Sequence, residues 1–84
     1  MEYKTRIEKR ARKQILKLPR NYQIKVYNTI VDLGGNPFQG KKLEGELKGQ
    51  YSIRVWPYRI IYQIYKKELI ISIIDVGHRQ GVYK

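Results

Sequence analysis

The chain has 84 residues, no cysteine, and a formal net charge of +11 from 18 basic and 7 acidic residues. This length predicts a single domain spanning residues 1–84. The lack of cysteine excludes disulfide frameworks, zinc–thiolate sites and thiol nucleophiles, and it is compatible with a cytoplasmic location. The excess of positive charge predicts an anionic partner, with a merely soluble basic domain as the alternative. No membrane association is expected, because the apolar runs are far shorter than the ~20 residues of a spanning helix and no signal-peptide pattern opens the chain.

The first half of the sequence predicts one strand and two helices. Within residues 3–7, Tyr3, Thr5 and Ile7 alternate with the basic residues Lys4 and Arg6, and this pattern predicts a short strand. Apolar residues then recur at helical spacing over residues 8–18, with basic residues on the other side. Pro19 ends this helix and can open a second one, which runs to about Leu33. Residues 34–37, Gly-Gly-Asn-Pro, stop the second helix.

The second half predicts three strands, at residues 51–55, 58–65 and 69–76. Residues 36–50 contain several glycines and mixed charges, and they are expected to form a surface connection. Pro57 lies in the first strand turn and residues 66–68 form the second, so the short links predict an antiparallel meander. The order is β-α-α-β-β-β. Two helices can cover one face of such a sheet, which predicts an α+β two-layer domain with a mainly antiparallel sheet.

The uncovered face of this sheet is expected to be polar and cationic. Along the strand at 51–55, Ile53 and Val55 point one way while Ser52, Arg54 and Trp56 point the other. The face opposite the helices therefore offers a surface on which an anionic ligand can bind.

Chemically useful side chains concentrate in the last third of the chain. A hairpin can hold Arg54 and Arg59 close together, and a strand returning beside it can bring His78, Arg79 and Tyr83 to the same region. Guanidinium groups bind phosphate, whereas imidazole and phenol groups exchange protons. Function is therefore expected to depend on this region.

These segments, taken in order, resemble the RelE/ParE superfamily, the toxic halves of prokaryotic toxin–antitoxin pairs. The resemblance rests on residues 43–54, which end in Tyr-Ser-Ile-Arg, on Tyr-Arg-Ile-Ile-Tyr at 58–62, and on Gly-His-Arg followed by Val-Tyr within 77–83. RelE-type members cut messenger RNA in the ribosomal A site, whereas ParE-type members act on DNA gyrase. The resemblance implies a toxin with a cognate antitoxin in a hetero-oligomeric complex. For the RelE branch it also implies contacts with mRNA and ribosomal RNA.

The resemblance also implies roles for individual residues. Four positions match the family's catalytic residues: Arg59, His78, Arg79 and Tyr83. Two lysines that bacterial RelE carries on the preceding strand fall on Ser52 and Arg54, so one of the two positions is not basic here. This departure leaves the details of proton transfer open.

The resemblance implies RNA cleavage without a metal or other cofactor, by attack of the 2′-hydroxyl on the adjacent phosphate. One histidine and no clustered carboxylates provide few ligands for a metal. Arg59 and Arg79 are expected to stabilise the phosphorane charge, with Arg54 on the same or a neighbouring phosphate. His78 is the candidate acid or base, and Tyr83 can exchange a proton or stack on a base.

Each of these roles has a structural alternative. Arg59 can be a solvated sheet residue, and residues 78–79 a basic tail that binds the RNA backbone without chemistry. Trp56 and Tyr58 can stack on RNA bases or pack at the end of the hairpin. The basic residues of the first helix can contact ribosomal RNA or simply face solvent. For the whole protein, the alternatives are a ParE-like gyrase inhibitor and a non-catalytic binding or repressor subunit, which the serine at position 52 keeps open.

Overall fold

The computed structural model describes residues 2–45 and 49–78 of the chain. Within them lie two helices and five strands: β1 (Lys4–Ile7), α1 (Lys9–Leu16), α2 (Arg20–Gly35), β2 (Lys41–Lys42), β3 (Gln50–Val55), β4 (Tyr58–Tyr65) and β5 (Ile70–His78). A short 3₁₀ turn, Pro37–Gln39, joins α2 to β2. The predicted α+β fold and the predicted order of its main elements are confirmed. The structure contains one strand that was not predicted: β2 has two residues and lies inside the segment expected to be a surface connection.

The helices form where apolar residues recur three or four positions apart. Ala11 and Ile15 are the buried residues of α1, while α2 buries one stripe that includes Val26, Ile30 and Leu33. This spacing places each set on one side of its helix, toward the sheet. None of the helices in the described ranges is long and apolar enough to cross a membrane.

The strands form one sheet in the order β1-β5-β4-β3-β2. β1 pairs with β5 in parallel, and the other neighbouring strands are antiparallel. The helices pack against one face, where they share a core with alternating residues of β3, β4 and β5: Val55, Ile60, Tyr62, Ile71, Ile73 and Val76. The opposite face, called here the open face, carries no helix in the described part of the chain, as predicted, although Ser52, Ile61 and Ser72 on this face are buried.

A bulge in β5 breaks the alternation that the isoleucine-rich sequence suggests. Ile61 of β4 lies opposite Asp75, but the next residue, Tyr62, lies opposite Ile73, so β5 has one extra residue at this point. The bulge lets Ile73 and Val76, three positions apart, both enter the core. It also sets which face each later residue of β5 occupies.

Helix α1 covers the part of β5 that extends beyond the end of β1. The side-chain oxygen Oε1 of Gln14 accepts a hydrogen bond from the backbone N–H of Val76 at 2.7 Å. Its Nε2 donates to a carboxylate oxygen of Asp75 at 2.5 Å. One glutamine side-chain amide thus bonds to β5 beyond Ile73, the last residue that pairs with β1, and it holds the segment that leads to Gly77 and His78.

Candidate active site

Two arginines face each other on the open side of the sheet. The Cα atom of Arg54 in β3 lies directly opposite that of Arg59 in β4. Directly opposed residues share one face, with Cβ atoms about 4.5–5.5 Å apart. Their neighbours Val55 and Ile60 enter the core on the helix side, so both arginines lie on the open face. Like charges in this position destabilise a sheet, and an anion held between them removes the cost.

The arginines form part of a shallow cleft of about 320 Å³, called here the arginine cleft. The residues that line it are Gln39, Gly40, Lys41, Ser52, Ile53, Arg54 and Arg59. Three of these described residues are cations and none is a carboxylate. The cleft has room for several water molecules of about 30 Å³ each, and therefore for a phosphate group. Its charge and size both suit a phosphodiester.

The wall of the cleft formed by Gly40 and β2 is fixed to the core through one tyrosine. Tyr62 is completely buried (0 % exposed). Its hydroxyl donates to the carbonyl of Pro37 at 2.8 Å and accepts the N–H of Gly40 at 3.1 Å. Burial is the main cause that raises the pKa of the Tyr62 hydroxyl above its ordinary value, so the hydroxyl keeps the proton that it donates.

Gly40 is required where the chain passes closest to Tyr62. A Cβ atom at this position would overlap the Tyr62 hydroxyl and lie 2.8 Å from the carbonyl oxygen of Ser52. With glycine, the backbone approaches closely enough for β2 to pair with β3, so that Lys41 lies opposite Ser52. This close approach brings Lys41 to the rim of the cleft. Lys41 was not among the sequence-predicted site residues, because a two-residue strand is too short for a periodic pattern.

Other predicted site residues lie on the helix side of the sheet. The register places Tyr58 directly opposite His78, and their rings are 6.0 Å apart. Tyr58 also contacts Tyr22 of α2 at 5.2 Å between ring centroids. The next pair along the same two strands is Arg59 and Gly77, and it faces the side of the sheet opposite to Tyr58 and His78. The structure therefore brings Arg54, Arg59 and Ser52 together but places Tyr58 and His78 on the opposite face.

The remaining predicted site residues are an exposed tryptophan and two residues outside the described range. Trp56 lies in the turn between β3 and β4 and is 61 % exposed. The residue of β5 directly opposite Arg59 is Gly77, and because glycine has no side chain, β5 places none beside this arginine at that position. Arg79 and Tyr83 lie outside the described residues, and their predicted roles stay predictions.

Comparisons with known proteins extend over nearly all of this chain. Residues 5–83 match the family model described as the ParE toxin of type II toxin–antitoxin systems, parDE. The chain is 34 % identical over 86 aligned positions to toxin RelG of Mycobacterium tuberculosis, with 100 % of this chain and 99 % of that protein covered. The likeness therefore includes the strands that carry both arginines.

Solved structures show the same fold. The toxin–antitoxin complex RelBE2 from Mycobacterium tuberculosis contains a chain with a TM-score of 0.88 and 33 % identity, covering 94 % of this chain and 100 % of that one. The archaeal RelE–RelB complex from Pyrococcus horikoshii contains one with a TM-score of 0.82 and 28 % identity, covering 98 % of this chain and 100 % of that one. The first match comes from a toxin–antitoxin complex and the second from a complex of RelE with RelB.

Proposed function

Since this chain belongs to the RelE/ParE superfamily of toxins of type II toxin–antitoxin systems, we propose that it is a RelE-like endoribonuclease that cleaves mRNA on the ribosome without a metal. The observation that carries the proposal is the opposed pair Arg54 and Arg59 in a cleft whose described lining contains no carboxylate. Fixed cations aimed at a phosphate stabilise the charge that develops in its transition state. A cleft of this kind suits a reaction at a phosphodiester.

In the proposed reaction, the 2′-oxygen of one nucleotide attacks the adjacent phosphorus. A base removes the 2′-hydroxyl proton as the new O–P bond forms, and the bond from phosphorus to the 5′-oxygen breaks. An acid returns a proton to that 5′-oxygen, so the products carry a 2′,3′-cyclic phosphate and a 5′-hydroxyl. Arg59, together with Arg79, would neutralise the phosphorane, while Arg54 holds a phosphate oxygen. Tyr83 is the proposed proton carrier, since the ring of His78 packs against Tyr58 on the face opposite the arginines.

The proposed partners follow from charge and from the related complexes. The exposed side of α1 forms a basic surface lined by Lys9, Arg10, Lys13 and Lys17, with Gln14 between them. Such a surface suits the phosphates of ribosomal RNA, since Lys and Arg bind nucleic-acid backbones regardless of sequence. Because RelE-type relatives are found in complexes with RelB, a cognate antitoxin in a hetero-oligomeric complex is proposed here also, with acidic segments that neutralise the toxin's charge.

A ParE-like gyrase inhibitor is the second candidate, because the family model that matches the chain is described as a ParE toxin. A gyrase inhibitor requires no RNA cleavage, and it should cause defects in DNA supercoiling. The opposed arginines in a phosphate-sized cleft favour the ribonuclease.

Primer-extension mapping of cellular transcripts after induced expression separates these two candidates. We expect wild-type protein to produce breaks within coding regions, with 2′,3′-cyclic phosphate ends. Arg59→Ala and Arg79→Ala should abolish both the breaks and growth inhibition while circular dichroism shows a folded protein. Arg6→Ala is a matched control, because Arg6 is exposed on β1, at the other edge of the sheet from β2. Full toxicity of both arginine variants would show that the assigned residues are wrong, and supercoiling defects without RNA breaks would favour the gyrase inhibitor.

A further inference from the structure

We propose that Lys41 is a third phosphate-binding cation of the arginine cleft, supplied by β2 beside the uncharged position Ser52. Its role in cleavage rests on the proposed ribonuclease function, but its binding of phosphate does not. The proposal follows from the strand register, from the charges that line the cleft and from the way the structure holds β2.

The register places Lys41 on the same face as the arginines. Lys41 and Ser52 are directly opposed in the antiparallel pair β2–β3, so their side chains share one face. Ser52 and Arg54 are two positions apart in β3, and they also share a face. Arg54 in turn opposes Arg59 across β3–β4. Three neighbouring strands thus contribute one cation each to the same surface, and all three side chains line the cleft.

The chemistry of position 52 explains what a lysine on β2 contributes. Ser52 is 5 % exposed and presents a neutral hydroxyl at this part of the cleft. At position 52 the family resemblance implies a lysine instead of this serine. Lys41 carries an ammonium group with three N–H donors on a flexible stem, and it is exposed. Lys41 of β2 therefore supplies a positive charge beside Ser52, the position at which β3 supplies none.

The backbone of Lys41 is held firmly on both sides. On one side, Gly40 donates its N–H to the buried Tyr62 hydroxyl at 3.1 Å. On the other, the N–H of the buried Leu43 bonds to the carbonyl of Gln50 at 2.9 Å, which continues the pairing with β3. A functional side chain is most effective on a segment that is fixed in this way. These anchors make a two-residue strand rigid enough to present a binding group.

Lys42 provides a matched control within the same strand. It lies opposite Tyr51, whose ring stacks on the core residue Tyr62 with 5.6 Å between centroids. By alternation its side chain leaves β2 on the helix side. It lines a separate depression with Leu43, Glu44 and Gly45. Lys41 and Lys42 are thus both exposed lysines of the same strand, but their side chains lie on different faces of the sheet.

The first test is a titration of the full chain with inorganic phosphate. Binding is monitored by the shifts of backbone amide resonances in NMR spectra. We expect shifts at Lys41, Ser52 and Arg54. Lys41→Gln should weaken phosphate binding about tenfold, the effect of losing one charged hydrogen bond, whereas Lys42→Gln should change it less than about twofold. Equal weakening by both variants, or none by Lys41→Gln, would overturn the proposal, since general charge would then explain the binding.

The second test measures mRNA cleavage on programmed ribosomes in single turnover. Lys41→Gln should slow cleavage about 10- to 100-fold, Lys42→Gln less than about twofold, and Ser52→Lys in the Lys41→Gln background should restore most of the rate. If the rate falls equally in both single variants, the role of Lys41 in cleavage is refuted. If the wild-type protein cleaves nothing, the proposed ribonuclease function fails, and the phosphate titration still decides whether Lys41 belongs to the site.

Discussion

Arg54 and Arg59 are directly opposed on β3 and β4, so two guanidinium groups share one face of the sheet with no intervening strand. Such an arrangement costs stability in the absence of an anion. We therefore expect Arg54→Gln to raise the melting temperature at low ionic strength while it lowers the rate of mRNA cleavage about tenfold or more. Salt screens the repulsion, so the gain in melting temperature should shrink as salt is added.

Thermal unfolding at low and high salt checks this expectation, with Arg6→Gln as the control for a general change in net charge. A lower melting temperature for Arg54→Gln at every salt concentration would show that its aliphatic stem contributes more to packing than its charge costs.

Gly40→Ala should destabilise the fold, because the added methyl group has no space. It would meet the Tyr62 hydroxyl and the Ser52 carbonyl, and relief of that overlap must displace β2. We expect a loss of about 1–3 kcal/mol in the free energy of unfolding, measured by urea denaturation. Gly35→Ala is the control, since the nearest atom to its added methyl is 3.8 Å away. Equal stability of the two variants would contradict the close approach at Gly40.

Tyr62 should make stability depend on pH in alkaline solution. Burial raises its pKa in the folded state above the ordinary value of 10.0. Above that ordinary value the unfolded chain releases the proton while the folded chain keeps it, so the stabilisation present below it is lost as pH rises toward the folded pKa.

Tyr62→Phe lacks this group, and it also leaves the Gly40 N–H and the Pro37 carbonyl without the hydroxyl. It should therefore be less stable than wild type near neutral pH, by about 1–3 kcal/mol. The difference should narrow as pH rises above about 10. Lysines titrate in the same range in both proteins, so urea denaturation of the pair isolates Tyr62. A difference that stays constant with pH would refute the expectation.

His78 packs against Tyr58 on the helix side, opposite to the arginines. We expect His78→Phe to keep the rate of cleavage within about threefold of wild type, rather than the roughly 10²–10⁴-fold loss of removing a general acid or base, because the ring packs against Tyr58 and faces away from both arginines. Single-turnover cleavage on programmed ribosomes measures this, with circular dichroism as the check on folding. Loss of cleavage in a folded His78→Phe protein would instead establish His78 as a proton carrier.

The order of elements was predictable because each helix shows a clear helical period and each strand turn carries a proline or a charged link. The face of Arg54 was predictable from alternation along β3, since Ile53 and Val55 on either side are apolar. Those features are local, and local sequence determines them.

The position of His78 was not predictable, because it depends on how β5 pairs with β4. The bulge opposite Ile61 and Tyr62 lies within a nearly uniform run of isoleucines, where no residue marks the extra position. The position of Lys41 in the arginine cleft was not predictable for a related reason. It depends on the contact of Gly40 with Tyr62, residues 22 positions apart in the chain.

The glutamine that bonds to Val76 has a consequence for solubility. An unpaired strand edge is a template onto which another polypeptide can add as an extra strand. Gln14 occupies the free N–H of this edge, and Arg10 places a cation 3.7 Å from the Asp75 carboxylate beside it. Within the described residues, a side-chain amide of α1 thus hinders edge-to-edge aggregation along the part of β5 that extends beyond β1.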